Sequence, residues 1–75
     1  MDGTKMNIQT ILDTLNQTIA GKEQYLKESK QTLEYYSQRD ATSAIVQFST
    51  VIDMLKINIA ELERIRDDIT TTQLI

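Results

Sequence analysis

The sequence predicts an all-α fold: an antiparallel two-helix hairpin whose helices pack as in a coiled coil. The 75 residues include no proline and only two glycines, so little interrupts a long helix. Apolar residues recur at alternating spacings of three and four through each half of the chain. A short polar stretch, residues 37–40, separates the two series. A short link between long amphipathic helices favours an antiparallel pair.

The first helix is predicted over about residues 5–37, where the apolar series is continuous. Asp2 or Thr4 is the expected N-cap. The positions expected to face the second helix are Ile8, Leu12, Leu15, Ile19, Lys22, Leu26, Ser29, Leu33 and Tyr36. Because these steps follow a heptad pattern, we expect them to form one side of a coiled-coil interface.

The second helix is predicted over about residues 41–70, after a turn at about 38–40 with Asp40 as the N-cap. Its expected inward positions are Ala41, Ala44, Phe48, Val51, Leu55, Asn58, Leu62, Ile65 and Ile69. The β-branched run Thr70–Thr72 predicts a frayed tail over about residues 71–75. The whole chain, residues 1–75, is expected to be a single domain because it is too short for a second core.

The register of the hairpin follows if Tyr36 faces Ala41 across the turn. Ser29, the smallest side chain of the first series, then faces Phe48, the largest of the second. Such a match of small and large side chains is what interdigitating layers require.

The same register places two polar residues, Lys22 and Asn58, in adjacent layers. A polar layer inside an apolar interface fixes register at some cost in stability. The alternative is that Lys22 extends its amine outward, toward Glu23 or Glu61.

Three isoleucines at intervals of seven, Ile45, Ile52 and Ile59, lie beside the inward series of the second helix. A two-helix hairpin cannot surround its own interface, so we expect these residues to contact a second copy in a four-helix bundle. The other residues expected at this homodimer interface are Phe48, Leu55, Met54, Tyr25 and Ile11. Two alternatives remain: a different protein covers the isoleucines, or the hairpin twists so that they complete its own core.

The composition argues against catalysis. Without histidine or cysteine, the chain lacks the commonest ligands for zinc and haem and the imidazole acid or base. Paired carboxylates occur, but adjacent helix positions point apart, and a cation site at Glu63, Asp67 and Asp68 is only a weak alternative. We therefore expect no enzyme activity, no cofactor and no bound metal.

The charge and the apolar pattern narrow the expected partners. The formal net charge of −3 disfavours nucleic acid. Polar residues interrupt the longest apolar window, residues 44–52, so no membrane span or signal peptide is predicted and a cytoplasmic protein is expected. The expected function is that of a structural or protein-interaction module that forms a homodimer through the second helix. The alternative is a small, phage-like regulator that binds a heterologous protein through the same face.

Overall fold

In the computed structural model, which describes residues 7–73, the chain forms two long α-helices packed against each other. Helix α1 spans Ile8–Ser37 and helix α2 spans Thr42–Gln73. The described chain contains no other helix and no strand. The predicted all-α helical hairpin is confirmed.

Helix α1 begins at Ile8 and is capped by Asn7. The Asn7 Oδ1 accepts a hydrogen bond from the backbone N–H of Gln9 at 2.9 Å, as an N-cap side chain does. The predicted start near residue 5 is three residues too early, because the cap lies at Asn7 instead. The caps expected at Asp2 and Thr4 lie outside the described residues.

The turn between the helices contains a left-handed residue, Asp40, with φ of 53°. Its carbonyl accepts a hydrogen bond from Thr42 N at 3.0 Å, and the carbonyl of Tyr36 accepts from Ala41 N at 3.3 Å. The carbonyl of Ala41 accepts from Ile45 N at 2.9 Å, so the helical bonding of α2 begins at Ala41. The prediction that Asp40 caps α2 is wrong, because Asp40 makes the backbone reversal; aspartate tolerates this conformation better than most residues.

Helix α2 continues through the threonine run at its C-terminal end. Thr70 Oγ1 donates to the carbonyl of Arg66 at 2.9 Å, and Thr72 Oγ1 donates to the carbonyl of Asp68 at 2.8 Å. These bonds satisfy the hydroxyls within the helix. The helix end predicted at about residue 70 is three residues too early, since α2 continues to Gln73, and residues 74–75 lie outside the described part.

The interface between the helices, which we call the seam, uses the predicted positions on α1. From Leu12 to Tyr36 every member of that series is buried or half-buried, and only Ile8, at the open end, is exposed. On the second half of the chain, eight of the nine predicted inward positions are likewise buried or half-buried, and Ile65 is exposed. A second row in three-four alternation is also buried or half-buried: Ala41, Ile45, Phe48, Ile52, Leu55, Ile59, Leu62, Arg66 and Ile69.

This row corrects the predicted orientation of α2. Ile52, Leu55 and Ile59 are only 6–8% exposed and lie in the seam, whereas Ile65, expected there, is exposed. The buried side of α2 is therefore centred closer to Ile52 and Ile59 than predicted, a rotation of less than the roughly 100° that one residue covers.

The prediction that Ile45, Ile52 and Ile59 form a free surface for a second copy is consequently wrong. Ile52 and Ile59 are buried and Ile45 is half-buried within the single chain. Phe48 and Leu55 belong to the same row. The alternative in which the isoleucines complete the core of their own hairpin is the one that the structure shows, because burying them against α1 covers the widest apolar side of α2.

Two side-chain contacts join the helices across the seam. The Phe48 ring stacks on Tyr36, with centroids 6.0 Å apart, and because side chains lean toward the N-terminus of their own helix this contact is compatible with the predicted register. Arg66 Nη1 donates to Asn16 Oδ1 at 3.3 Å. Ser29 is 1% exposed as the small-residue position, but its Oγ has no hydrogen-bond partner in the described structure.

A pair of alanine substitutions two residues apart tests the observed seam. We expect Ile59→Ala to lower the free energy of unfolding by about 2–5 kcal/mol, since it opens a cavity between the helices. In dilute protein, Ile57→Ala is expected to cost less than about 1 kcal/mol because its side chain is exposed. Urea unfolding followed by circular dichroism measures both, and equal losses would contradict the observed rotation of α2.

The turn offers a second test at Asp40. We expect Asp40→Val to destabilise the hairpin by about 1–2 kcal/mol, because a β-branched side chain clashes at positive φ. Asp40→Gly is the matched control and should retain or raise stability, since glycine adopts this conformation freely. Thermal unfolding compares the two variants, and a valine variant as stable as the glycine variant would rule out the left-handed residue.

Candidate interaction surface

Helix α2 presents a second apolar side, which faces away from α1. Four large side chains there are 48–65% exposed: Val46, Met54, Ile57 and Ile65. At about 100° per residue they occupy an arc of about 100°, opposite the seam residues Ile52, Leu55 and Ile59. We call these four residues the outer stripe.

Helix α1 has an ordinary amphipathic pattern by comparison. Its outer positions Gln17, Gln24 and Gln31 are exposed, and Gln24 Nε2 donates to Glu28 Oε2 at 3.1 Å. The solvated polar face of α1 is typical of a helix covered on one side. Helix α2, with apolar residues on two sides, has the pattern of a helix that is covered on both.

An open cleft of about 480 Å³, the central cleft, lies halfway along the hairpin beside the outer stripe. Its lining residues are Lys22, Val51, Met54, Leu55, Ile57, Asn58 and Glu61. The structure thus brings the predicted polar pair, Lys22 and Asn58, to one half-buried place. Among residues 7–73 the only ion pair within 4.0 Å joins Arg66 to Asp67, so the Lys22 amine is not bound to Glu61 there.

The other predicted interface residues on α1 lie apart from one another. Ile11 is half-buried and lines a smaller cleft of about 320 Å³ at the open end, with Ile8, Ile69 and Thr72. Tyr25 is exposed at mid-length. Of the residues expected at a partner interface, Met54 alone belongs to the outer stripe, and Val46, Ile57 and Ile65 were missed. The signal that could have found them is the weak amphipathicity of α2, which has apolar residues at too many angles for one seam.

Aromatic residues close the turn end of the hairpin. The Arg39 guanidinium lies 3.6 Å above the Tyr35 ring, and the Tyr35 and Tyr36 rings meet edge to face at 5.2 Å. Arg39 Nη1 also donates to the carbonyl of Tyr35 at 3.0 Å. A guanidinium that is stacked on a ring and hydrogen-bonded in this way stabilises the turn. This aromatic cluster lines neither of the two clefts.

Helix α2 is also long and apolar enough, by length and composition, to cross a membrane over Thr42–Thr72. Only 17% of the apolar window is buried within the structure. One such helix is weak evidence, because a core helix of a water-soluble protein passes the same test. Asp53 and Lys56 lie in the middle of the stretch, and the two apolar sides of α2 are enough to account for its hydropathy.

The described residues contain no group of three acidic, histidine or cysteine side chains placed to hold a metal ion. The features of the described residues that could form a functional site are therefore the apolar outer stripe and the central cleft beside it. Comparisons with known protein families, with curated proteins and with solved structures give no match to this chain.

The polar pair of the central cleft gives a third test. We expect the double variant Lys22→Leu with Asn58→Leu to gain stability on the order of 1 kcal/mol, since half-buried polar groups are replaced by apolar ones. We also expect it to lose its single register, which two-dimensional NMR would show as more than one set of amide signals.

The exposed Lys27→Leu variant is the matched control for that test, because it removes a lysine from α1 outside the cleft. A double variant with one set of amide signals and unchanged stability would mean that Lys22 and Asn58 do not set the register.

Proposed function

We propose that this protein is a non-enzymatic structural or protein-interaction module that self-associates through the outer stripe of α2. The observation that supports this proposal is the exposure of Val46, Met54, Ile57 and Ile65 on one side of one helix. Exposed apolar side chains are normal when scattered, but an aligned set marks an interaction surface. The associating helix is α2, as the sequence predicts, but the contact residues are those of the outer stripe and not Ile45, Ile52 and Ile59.

The free energy available from the outer stripe is large enough to matter. Complete burial of one such side chain is worth about 1.5–3 kcal/mol, and roughly half of each is still exposed. A contact between two copies would cover eight of them, which gives on the order of 10 kcal/mol. This exceeds only the lower part of the range of about 4–15 kcal/mol that association costs, so the outer stripe alone supports a weak dimer.

The residues around the outer stripe suit an interface between proteins. Charged side chains flank it at Asp53, Lys56 and Arg64, while Thr50 and Glu61 lie between its members. The apolar pair Met54 and Ile57 forms the centre of such a contact, and Glu61 is a charge within the outer stripe that lowers the affinity expected of it. The absence of histidine and cysteine from the chain supports the non-enzymatic part of the proposal.

A double charge substitution tests self-association. We expect Met54→Glu with Ile57→Glu to weaken the dimer at least a hundredfold, since four carboxylates would be buried at the centre of the contact. Sedimentation equilibrium over a range of concentrations measures the mass. A charge at Ile52 would be uninformative because that residue holds the hairpin itself together.

The matched control is Gln17→Glu with Gln31→Glu on the outer face of α1, which adds the same charge and should leave the mass unchanged. Two results would overturn the proposal: a monomer at every concentration of the unaltered chain, or a dimer that the charges on α2 do not weaken. A monomer that floats with lipid vesicles would assign the outer stripe to a membrane surface. A monomer that forms a defined complex with another purified protein would assign it to a heterologous partner.

A further inference from the structure

The intervals between successive outer-stripe residues are the same when counted from either end of α2. Val46 and Met54 are eight residues apart, Met54 and Ile57 three, and Ile57 and Ile65 eight. A contact between identical copies related by a twofold axis is self-complementary, so each residue i that meets j requires j to meet i. When the two helices run antiparallel, a palindromic spacing provides this match.

We propose that a second copy covers the outer stripe by packing its own α2 antiparallel across it, with the twofold axis between Leu55 and Lys56. This inference rests on the proposed self-association and specifies its geometry. In this register Met54 lies opposite Ile57 of the second copy, and Val46 lies opposite Ile65. All four exposed apolar side chains of each copy are therefore covered at once.

The polar residues of the same face agree with this register. It places Thr50 opposite Glu61 of the second copy, Gln47 opposite Arg64 and Asp53 opposite Asn58. Like charges do not stand opposite each other, which an interface requires for favourable electrostatics. A parallel twofold contact would instead set Glu61 against Glu61 and Arg64 against Arg64.

The dimensions of α2 also permit the contact. Val46 and Ile65 are about 28 Å apart along the helix axis at 1.5 Å per residue. Both lie well inside the 32 residues of α2, so the contact does not depend on the helix ends. Helix α1 packs on the opposite side and does not obstruct it. The four helices would form a layer in the order α1, α2, α2 of the second copy, α1 of the second copy.

Cysteine cross-linking tests the register directly, because the natural chain contains no cysteine. Four single variants are made: Val46→Cys, Met54→Cys, Ile57→Cys and Ile65→Cys. They are mixed in pairs and oxidised, and the disulfide-linked dimers are quantified. A disulfide requires Cα atoms within about 7 Å. We expect the pairs 46 with 65 and 54 with 57 to link at least tenfold faster than 46 with 46 or 65 with 65.

The results of the cross-linking distinguish the antiparallel register from self-association itself. The expected pattern, together with a dimer mass for the unaltered chain, supports both. A dimer that links 46 with 46 and 65 with 65 is parallel, and it overturns the inference but not self-association. A dimer in which none of these pairs links overturns the stripe as the contact. A monomer at every concentration overturns both.

Opposite charges at Thr50 provide an independent measurement. In the antiparallel register Thr50→Lys meets Glu61 of the second copy and should tighten the dimer about three- to tenfold, whereas Thr50→Glu should weaken it by a similar factor. In a parallel contact Thr50 meets its own copy, and both substitutions weaken the dimer. Thr14→Lys and Thr14→Glu, on the exposed face of α1, are the matched controls.

Discussion

Burial of Ile52, Leu55 and Ile59 against α1 is the contact on which the other features of this hairpin depend. The described chain has no disulfide, and a protein of this size has little apolar surface to bury, so one seam must supply most of the stability. That seam also decides the orientation of α2. Once these residues point inward, the helix period places Val46, Met54, Ile57 and Ile65 on the far side.

The two helices consequently have different roles. Helix α1 has one apolar side and a polar outer face, so it is complete when it has covered α2. Helix α2 remains half covered, and its composition would suit a core helix or a membrane span as well as a hairpin. A second protein surface on the outer stripe resolves this imbalance with the same forces that close the seam. For this reason we propose association, rather than chemistry at a site, as the function.

Much of the fold could be predicted from the three-four pattern, and the rest could not for identifiable physical reasons. The hairpin, the position of the turn and the inward residues of α1 followed from periodicity, because α1 has a single apolar side. In α2 the rows through Val51 and through Ile52 both keep the three-four spacing, so spacing alone cannot show that Ile52 and Ile59 are the more deeply buried residues and are not a free surface. Asp40 does not cap α2, because its left-handed backbone makes the reversal of the chain between the two helices. The helix end expected near Thr70 lies at Gln73, because a β-branched run lowers helix propensity only slightly and does not by itself end a helix.

Ser29 is buried in the seam, nearer the turn than the open end, and its hydroxyl has no hydrogen-bond partner in the described structure. Such a group loses its hydration when the helices close and regains it when they part, so it lowers the work of separating them at that level. At the level of Ser29, closing the seam therefore stabilises the hairpin less than the complete burial of that residue suggests.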